Sequence, residues 1–248
     1  MLCSELIKLK GSHVWTICLI IPLLSVGLGS LNFYWNQDQL EQGWYSLNAQ
    51  VGLFYGLIFF NIGAAIIVSS IWRDDIKKSN WQAMQSCYRK PHLIFIVKAL
   101  IGALLIAIMH LIFTLLAIGA GLAMRVDGID IAQVMRDFLL LILVSALPLA
   151  CFQGLLSYLT RSFAWPIGIS MLLCVSSFAV VSSQSMMALR YVIAQALSTF
   201  TIAIPSVAFS IESNSTWTLL SCLVAGVFQS TLFVGLTLVL FARRLNTT

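Results

Sequence analysis

The chain has 248 residues, of which 60% are hydrophobic and only 9% carry a charge. Soluble domains have about 25% charged residues, so this composition excludes a soluble enzyme and a disordered regulator. The six cysteines are scattered along the chain, which argues against a disulfide-stapled secreted domain. The mean hydropathy of +0.95 indicates an integral membrane protein.

Residues 1–13 predict a short amphipathic helix ahead of the first apolar run. Its leucines would share one face, and Glu5 and Lys8 would lie on the other. Such a helix rests in the membrane interface with its basic residues near the lipid phosphates. We therefore expect an N-terminal interfacial helix with its lysines directed toward lipid.

Six apolar stretches are long enough to cross a bilayer, whose core requires about 20 apolar residues per helix. They are residues 14–33, 51–72, 93–124, 138–159, 165–183 and 217–242. A seventh stretch, residues 191–209, is interrupted by Pro205 and carries several polar side chains. It predicts a re-entrant or interfacial helix and not a full crossing. The fold class is therefore all-α, with residues 1–248 forming a single transmembrane domain of six helices.

The charged residues between these spans predict the orientation of the chain. Eleven of the 14 basic residues fall on the side of the two termini, whereas six of the nine acidic residues fall on the opposite side. Basic residues mark the cytoplasmic face. We therefore predict a multi-pass protein of the cell membrane with both termini in the cytoplasm. The net charge of +5 then reflects this topology and does not indicate nucleic-acid binding.

The largest predicted cytoplasmic segment, residues 73–92, lies between the second and third spans. Ile76, Trp81, Met84 and Tyr88 form an apolar stripe at helical spacing, which predicts a short amphipathic helix. Such a helix can dock on a soluble partner or simply float on lipid. The docking interpretation selects these candidate residues: Asp74, Asp75, Lys77, Trp81, Met84 and Arg89.

The predicted outer loop between the first two spans combines aromatic and acidic residues. Aromatic girdles are common at membrane interfaces and require no ligand. An aromatic and acidic rim could nevertheless receive a cationic amphipathic molecule. The candidate residues of this rim are Trp35, Asp38, Glu41, Trp44 and Tyr45.

The middle of the predicted spans carries few polar side chains. His110, Asn61, Gln153 and Gln229 are accompanied there by hydroxyl groups only, and we interpret them as hydrogen bonds between helices. The sequence shows no catalytic, nucleotide-binding or metal-binding motif, and the spans contain no carboxylate for coupling to an ion gradient. Small residues predict close helix contacts at Gly56, Gly63, Ala117 with Gly121, and Gly226. A transport protein of this kind would take its energy from a partner.

Two stretches carry a family resemblance. Residues 5–12 (Glu-Leu-Ile-Lys-Leu-Lys-Gly-Ser) lead directly into the first span. Residues 81–84 (Trp-Gln-Ala-Met) are followed by Arg-Lys-Pro at 89–91 and then by Lys98 at the start of the third span. In this order they resemble the permeases of type-2 ABC exporters. Within that group, the short length and the external Trp44-Tyr45 pair are similar to the lantibiotic immunity permeases.

The resemblance implies a permease subunit with six spans and both ends inside. Its partners would be an ABC ATPase subunit, in two copies, and a second permease subunit, sister or identical. ATP would be bound by the ATPase, so the permease itself would hold no cofactor. The immunity subgroup implies a bacterial protein that expels a lantibiotic or similar antimicrobial peptide from the membrane for self-protection.

Two other function classes compete with this interpretation. The first is a non-transport membrane assembly or sensor protein that binds a soluble partner through its cytoplasmic helix. The second is an intramembrane hydrolase or lipid-modifying enzyme, which the missing catalytic groups disfavour. We therefore expect that the chain is not an enzyme.

Overall fold

A computed structural model describes residues 2–40, 43–76, 91–203 and 216–245. Within these ranges, six helices are long and apolar enough to cross a membrane, which confirms the predicted number. We name them span 1 to span 6, and they cover Val14–Trp35, Trp44–Arg73, Leu93–Ala123, Ile131–Thr160, Ala164–Ser182 and Leu219–Leu240. The helix of span 2 continues to Ile76, that of span 3 begins at Pro91, and that of span 6 covers Thr216–Leu245.

Three shorter helices complete the described part of the chain. Leu2–Leu9 forms the N-terminal helix, as predicted from its amphipathic pattern. A 3-10 helix, Gln184–Tyr191, follows span 5. The third, Ala194–Ala203, is called the inserted helix below because it packs inside the bundle.

Spans 2 and 4 begin seven residues earlier than the hydropathy pattern predicts, at Trp44 and Ile131. The Asp130 carboxylate caps span 4, since it accepts hydrogen bonds from the backbone N–H groups of Ala132 (2.9 Å) and Gln133 (3.2 Å). At the start of span 2, the Trp44 N–H donates to the Asp127 carbonyl at 2.9 Å. A count of apolar residues omits such polar first turns, although they are helical.

The connections between helices define two ends of the bundle. Side chains of the N-terminal helix, the last turn of span 2 and the start of span 3 meet at one end, where Lys8 contacts Asp75. We call this the ion-cluster end. The bond between Trp44 and Asp127 marks the opposite end, where span 2 begins and the loop between spans 3 and 4 lies. The helices therefore alternate in direction, as expected for successive crossings.

Two π-helical segments interrupt the spans. Tyr55–Phe59 lies within span 2 and Ile142–Ala146 within span 4. The second segment is followed by Pro148, which has no N–H to donate to the preceding turn and so disturbs the regular hydrogen bonding of the helix. Span 6 exploits the widened turn, because an added Cβ at Gly226 would lie 2.6 Å from the Val144 carbonyl oxygen.

The inserted helix lies inside the protein and not on its surface. Ala196, Leu197, Ser198 and Thr199 have no exposed surface, and the helix packs against span 5 and the π segment of span 2. A helix in the membrane interface would expose one face to lipid. Of the two interpretations of residues 191–209, burial therefore favours the re-entrant one for Ala194–Ala203, while 204–209 lie outside the described residues.

The predicted close contacts at small residues are confirmed. An added Cβ would lie 2.8 Å from the Ile202 side chain at Gly56, 2.7 Å from Met109 Sδ at Gly63, and 3.0 Å from the Trp44 ring at Gly121. At Gly56 and Gly63 the neighbouring side chain would have to move to admit a Cβ, and at Gly121 the Trp44 ring would have to give way by a few tenths of an ångström. The helices can approach this closely because the positions carry glycine.

Candidate functional site

Four charged side chains meet at the ion-cluster end and form what we call the ion cluster. Glu5 and Lys8 come from the N-terminal helix, Asp75 from the last turn of span 2, and Lys98 from the start of span 3. The Lys98 Nζ lies 2.6 Å from Glu5 Oε2 and 2.5 Å from Asp75 Oδ2. The Lys8 Nζ lies 2.6 Å from Glu5 Oε1 and 2.9 Å from Asp75 Oδ1. Each carboxylate is thus shared by both lysines, and the cluster is neutral overall.

Lys98 is the buried centre of this cluster. Its side chain is 0% exposed, and its ammonium also donates to the Ile71 carbonyl at 3.1 Å. Its hydrogen bonds to Glu5 Oε2 and the Ile71 carbonyl use two of the three donors of an ammonium group, and the Asp75 carboxylate lies beside it as an ion pair. The Nζ also lies 5.4 Å from the centre of the Trp72 ring, within range of a cation–π contact. Lys98 is therefore enclosed by carboxylate, carbonyl and aromatic groups.

The charges of Lys8 and Asp75 stabilise one another. Burial alone would lower the pKa of Lys8, but its hydrogen bonds to Glu5 and Asp75 raise that pKa above the ordinary 10.5. Burial alone would raise the pKa of Asp75, but Lys98 and Lys8 hold it below the ordinary 3.8. The Asp75 contribution to stability is present above pH 3.8 and is lost as the pH falls through its lowered pKa. The Lys8 contribution is present below pH 10.5 and is lost as the pH rises through its raised pKa.

The ion cluster corrects the expected orientation of the N-terminal helix. Glu5 is buried, and Lys8 pairs with protein carboxylates while 40% of its side chain stays exposed. Leu6 and Ile7 are 42% and 70% exposed. The physical reason is that the carboxylates of Glu5 and Asp75 hold Lys8 at 2.6–2.9 Å, which turns the polar face of the helix inward.

The candidate docking residues lie just beyond this cluster. Asp75 is buried in it, and Asp74 belongs to the same helical turn of span 2. The predicted amphipathic helix, with Lys77, Trp81, Met84 and Arg89, falls outside the described residues. The structure therefore fixes both points from which this segment departs and returns, at Ile76 and Pro91.

The candidate rim residues lie at the end of the bundle away from the ion cluster, and they differ in burial. Trp35 and Tyr45 are 73% and 52% exposed, and Asp38 is exposed as well. Trp44 is buried, with its ring against Gly121 of span 3. Trp44 thus helps to hold spans 2 and 3 together. Glu41 lies outside the described residues.

A cavity lies between spans 2, 3 and 4 and the inserted helix, in the half of the bundle away from the ion cluster. The space open to the centre of a water molecule is about 60 Å³. His110 and Asp137 are its ionisable lining residues. Asp137 lies one residue before the predicted start of the fourth span, but the actual helix begins at Ile131. Asp137 therefore lies in the second turn of span 4 and not in the middle of the crossing, where the sequence predicts no carboxylate.

The buried polar residues have different roles. Asn61 joins span 2 to the inserted helix, because its Nδ2 donates to Thr199 Oγ1 at 3.1 Å and its Oδ1 accepts from Ser198 Oγ at 2.6 Å. Gln229 of span 6 donates from Nε2 to the Tyr191 carbonyl at 2.8 Å. These bonds between helices confirm the interpretation for both residues. In the part of the chain described, neither side-chain atom of the Gln153 amide finds a partner.

His110 differs from the prediction. Its ring stacks on Phe138 with centroids 5.4 Å apart, and on Tyr55 and Phe113 at 5.7 Å. Its Nδ1 is buried, with no hydrogen-bond partner within the described ranges. The imidazole is thus part of an aromatic cluster at the wall of the cavity. Across the same ranges, no three His, Cys, Asp or Glu side chains come together to hold a metal ion.

Sequence reasoning missed the ion cluster and the cavity. One signal was present for the cluster, since Asp75 ends one apolar run and Lys98 lies one to two turns inside the next. A lysine inside a span normally requires a partner. The contribution of Glu5 could not be inferred, because it depends on how the N-terminal helix folds back on span 3.

Comparison with known proteins supplies the family. The model of a family described as "ABC-2 family transporter protein" matches residues 1–177. Neither a curated protein nor a solved structure matches the chain. The matched residues include the N-terminal helix, spans 1 to 4 and all four members of the ion cluster. This chain of six apolar helices therefore belongs to the ABC-2 transporter family, as a multi-pass membrane permease component without catalytic activity that relies on a separate ATPase.

Proposed function

We propose that the chain is one permease subunit of an exporter in which the ion-cluster end faces the cytoplasm. The distribution of basic residues supports this orientation, because the segments at that end carry most of them. Two ATPase copies would seat on two such permeases, sister or identical. The cytoplasmic segment of residues 77–90 is the proposed seat, with Lys77, Trp81, Met84 and Arg89 as contacts.

The ion cluster carries the proposed mechanism. It ties together the end of span 2, the start of span 3 and the N-terminal helix, and residues 77–90 connect the first two of these. A displacement of this segment by the ATPase would therefore move the three helices as one unit. Asp75 would act through this linkage and not by touching the ATPase. ATP binding would then shift the bundle between inward-facing and outward-facing populations.

The proposed cargo is a lantibiotic or a similar cationic antimicrobial peptide, expelled from the membrane of a producing bacterium. Family membership supports export over an assembly or sensor role. The exposed aromatic and acidic residues at the opposite end, Trp35, Asp38 and Tyr45, support a cationic amphipathic cargo. A peptide of this class resides in the outer leaflet, so it would reach the rim laterally from lipid.

Docking is tested by the double variant Trp81→Ala with Met84→Ala. We expect the variant to reach the membrane but to lose co-purification of the ATPase and peptide-dependent survival, because it lacks the apolar contact of the proposed seat. The matched control is Trp165→Ala with Met171→Ala, which removes a tryptophan and a methionine that are 67% and 52% exposed on span 5. Undiminished ATPase binding and export in the first variant would refute the docking site.

The cargo is tested separately in cells that express the permease, its ATPase and any sister permease. We expect the intact system to raise the peptide concentration that the cells survive. A Walker-motif variant of the ATPase should remove this protection. If the ATPase activity does not depend on the peptide and survival does not improve, the complex exports another substrate. That result would reject the immunity proposal.

A further inference from the structure

The cavity described above combines one acidic group with aromatic walls. Asp137 is a half-buried carboxylate at its edge, with 38% of the side chain exposed. The rings of Phe113, Phe138 and His110 line the remainder. Aromatic faces and a carboxylate are the two features by which proteins attract organic cations.

The other polar groups of the cavity are partly occupied by their own helices. Thr114 donates to the His110 carbonyl at 3.0 Å, and Thr201 donates to the Leu197 carbonyl at 2.6 Å. Both hydroxyl oxygens therefore remain available mainly as acceptors. The Asp137 Oδ1 accepts from Arg136 Nε at 3.2 Å, but Arg136 is 52% exposed, and such an exposed pair is weak. Asn48 adds an amide to the lining, and the Thr201 hydroxyl also lies 3.3 Å from Ser145 Oγ. The Asp137 carboxylate is therefore the group that favours a cation in this cavity.

His110 completes the aromatic wall of the cavity. Its ring stacks on Phe138 with centroids 5.4 Å apart and lies 5.7 Å from the ring of Phe113. Its Nδ1 has no accessible surface, so His110 contributes its ring to the wall and not a hydrogen-bonding atom.

We propose that this cavity binds a primary ammonium group carried on a slender alkyl chain. The ammonium would lie against the Asp137 carboxylate, with its methylene groups against Phe113 and Phe138. A volume of about 60 Å³ exceeds the 10–15 Å³ that one water requires, but it excludes a folded peptide. The site therefore takes the end of one side chain, such as that of a lysine, or a small amine.

Other ligand classes fit the cavity less well. An anion would be repelled by Asp137, and a purely apolar group would make no use of the carboxylate. A metal ion would require more ligands than this pair of ionisable residues supplies. The inference depends on the cavity alone and not on the proposed function, because it concerns binding by the permease without ATP or its ATPase.

The test uses the full-length permease in lipid nanodiscs and saturation-transfer NMR with three probes of four carbons each. We expect saturable binding of butylammonium, and at least about tenfold weaker binding of 1-butanol and butyrate, since a charge-assisted hydrogen bond contributes about 1.5–3 kcal/mol. Equal affinity for butanol would mean an unspecific apolar cavity and would overturn the proposal. Absence of saturable butylammonium binding would do the same.

Two variants locate the site. Asp137→Asn should weaken butylammonium binding at least about tenfold, whereas Asp127→Asn, the same change in the exposed loop at that end, should leave it within about twofold. Phe138→Leu retains the charge but removes a ring, so it should weaken butylammonium and leave butanol unchanged. If the Asp137→Asn protein does not fold, the Phe138→Leu variant tests the site. Unchanged butylammonium affinity in a folded Asp137→Asn or Phe138→Leu protein would reject the site.

Discussion

Lys98→Met is expected to destabilise the permease by about 3–5 kcal/mol, the usual effect of removing one partner from a buried ion pair. Methionine matches the length of lysine but supplies no ammonium, so Glu5 and Asp75 would remain buried with only Lys8 between them. Lys8, which is 40% exposed, already contacts one oxygen of each carboxylate, so the second oxygens, which Lys98 now contacts, would lose their cation. The measurement is the midpoint of unfolding of the purified protein in detergent, followed by heating or by titration with a denaturing detergent.

The control for Lys98→Met is Lys10→Met, which makes the same change at an exposed lysine two residues after Lys8. We expect its unfolding midpoint to stay close to that of the unaltered protein. A triple variant, Lys98→Met with Glu5→Gln and Asp75→Asn, should recover part of the lost stability, because it removes the unpaired charges together. Equal stability of the Lys98→Met and Lys10→Met proteins would show that the ion cluster does not hold the three helices together.

The same variant separates stability from coupling. If residues 77–90 transmit motion through the ion cluster, the triple variant should bind the ATPase but export poorly, because amides link the helices less tightly than paired charges. A triple variant that exports normally would limit the cluster to a structural role. Export should be compared at equal amounts of assembled complex, so that loss of protein is not read as loss of coupling.

The extent to which sequence predicts this fold follows from the physics of the membrane. The hydrocarbon core demands long apolar helices, so the six spans are evident from hydropathy. The starts of spans 2 and 4 are not evident, because Trp44 and Asp130 stabilise polar first turns through a specific bond to Asp127 and a side-chain cap. These contacts depend on loops that come together in three dimensions.

The candidate sites were less predictable than the spans, for a related reason. Lys98 occupies the edge of an apolar run, where a charge is expected to extend toward water. Its burial depends on Glu5, 93 residues away in the chain, and a pattern in sequence does not encode such a pairing. His110 is similar, since its neighbours Tyr55 and Phe138 come from two other spans.

Gly29→Ala is expected to have the second large effect, a loss of about 1–3 kcal/mol from overpacking. Span 1 crosses the start of span 2 at this glycine, and an added Cβ would collide with Val51 Cα and lie 2.8 Å from Val51 N. Both are backbone atoms, so no side chain can rotate away. The two helices would have to separate, and the hydrogen bond from Asn32 Nδ2 to Gln50 Oε1, 2.6 Å long, would lengthen.

The neighbouring Gly27 provides a matched control, because an added Cβ there meets nothing within 4 Å. Gly27→Ala should leave the unfolding midpoint unchanged or slightly raised, since alanine favours the helix over glycine. Cysteines placed at positions 32 and 50 should also cross-link more slowly when Gly29 is replaced than when Gly27 is. Indistinguishable midpoints and cross-linking rates for the two alanine variants would mean that span 1 is not closely packed on span 2. The first crossing of the bundle would then be held by lipid and not by direct contact between helices.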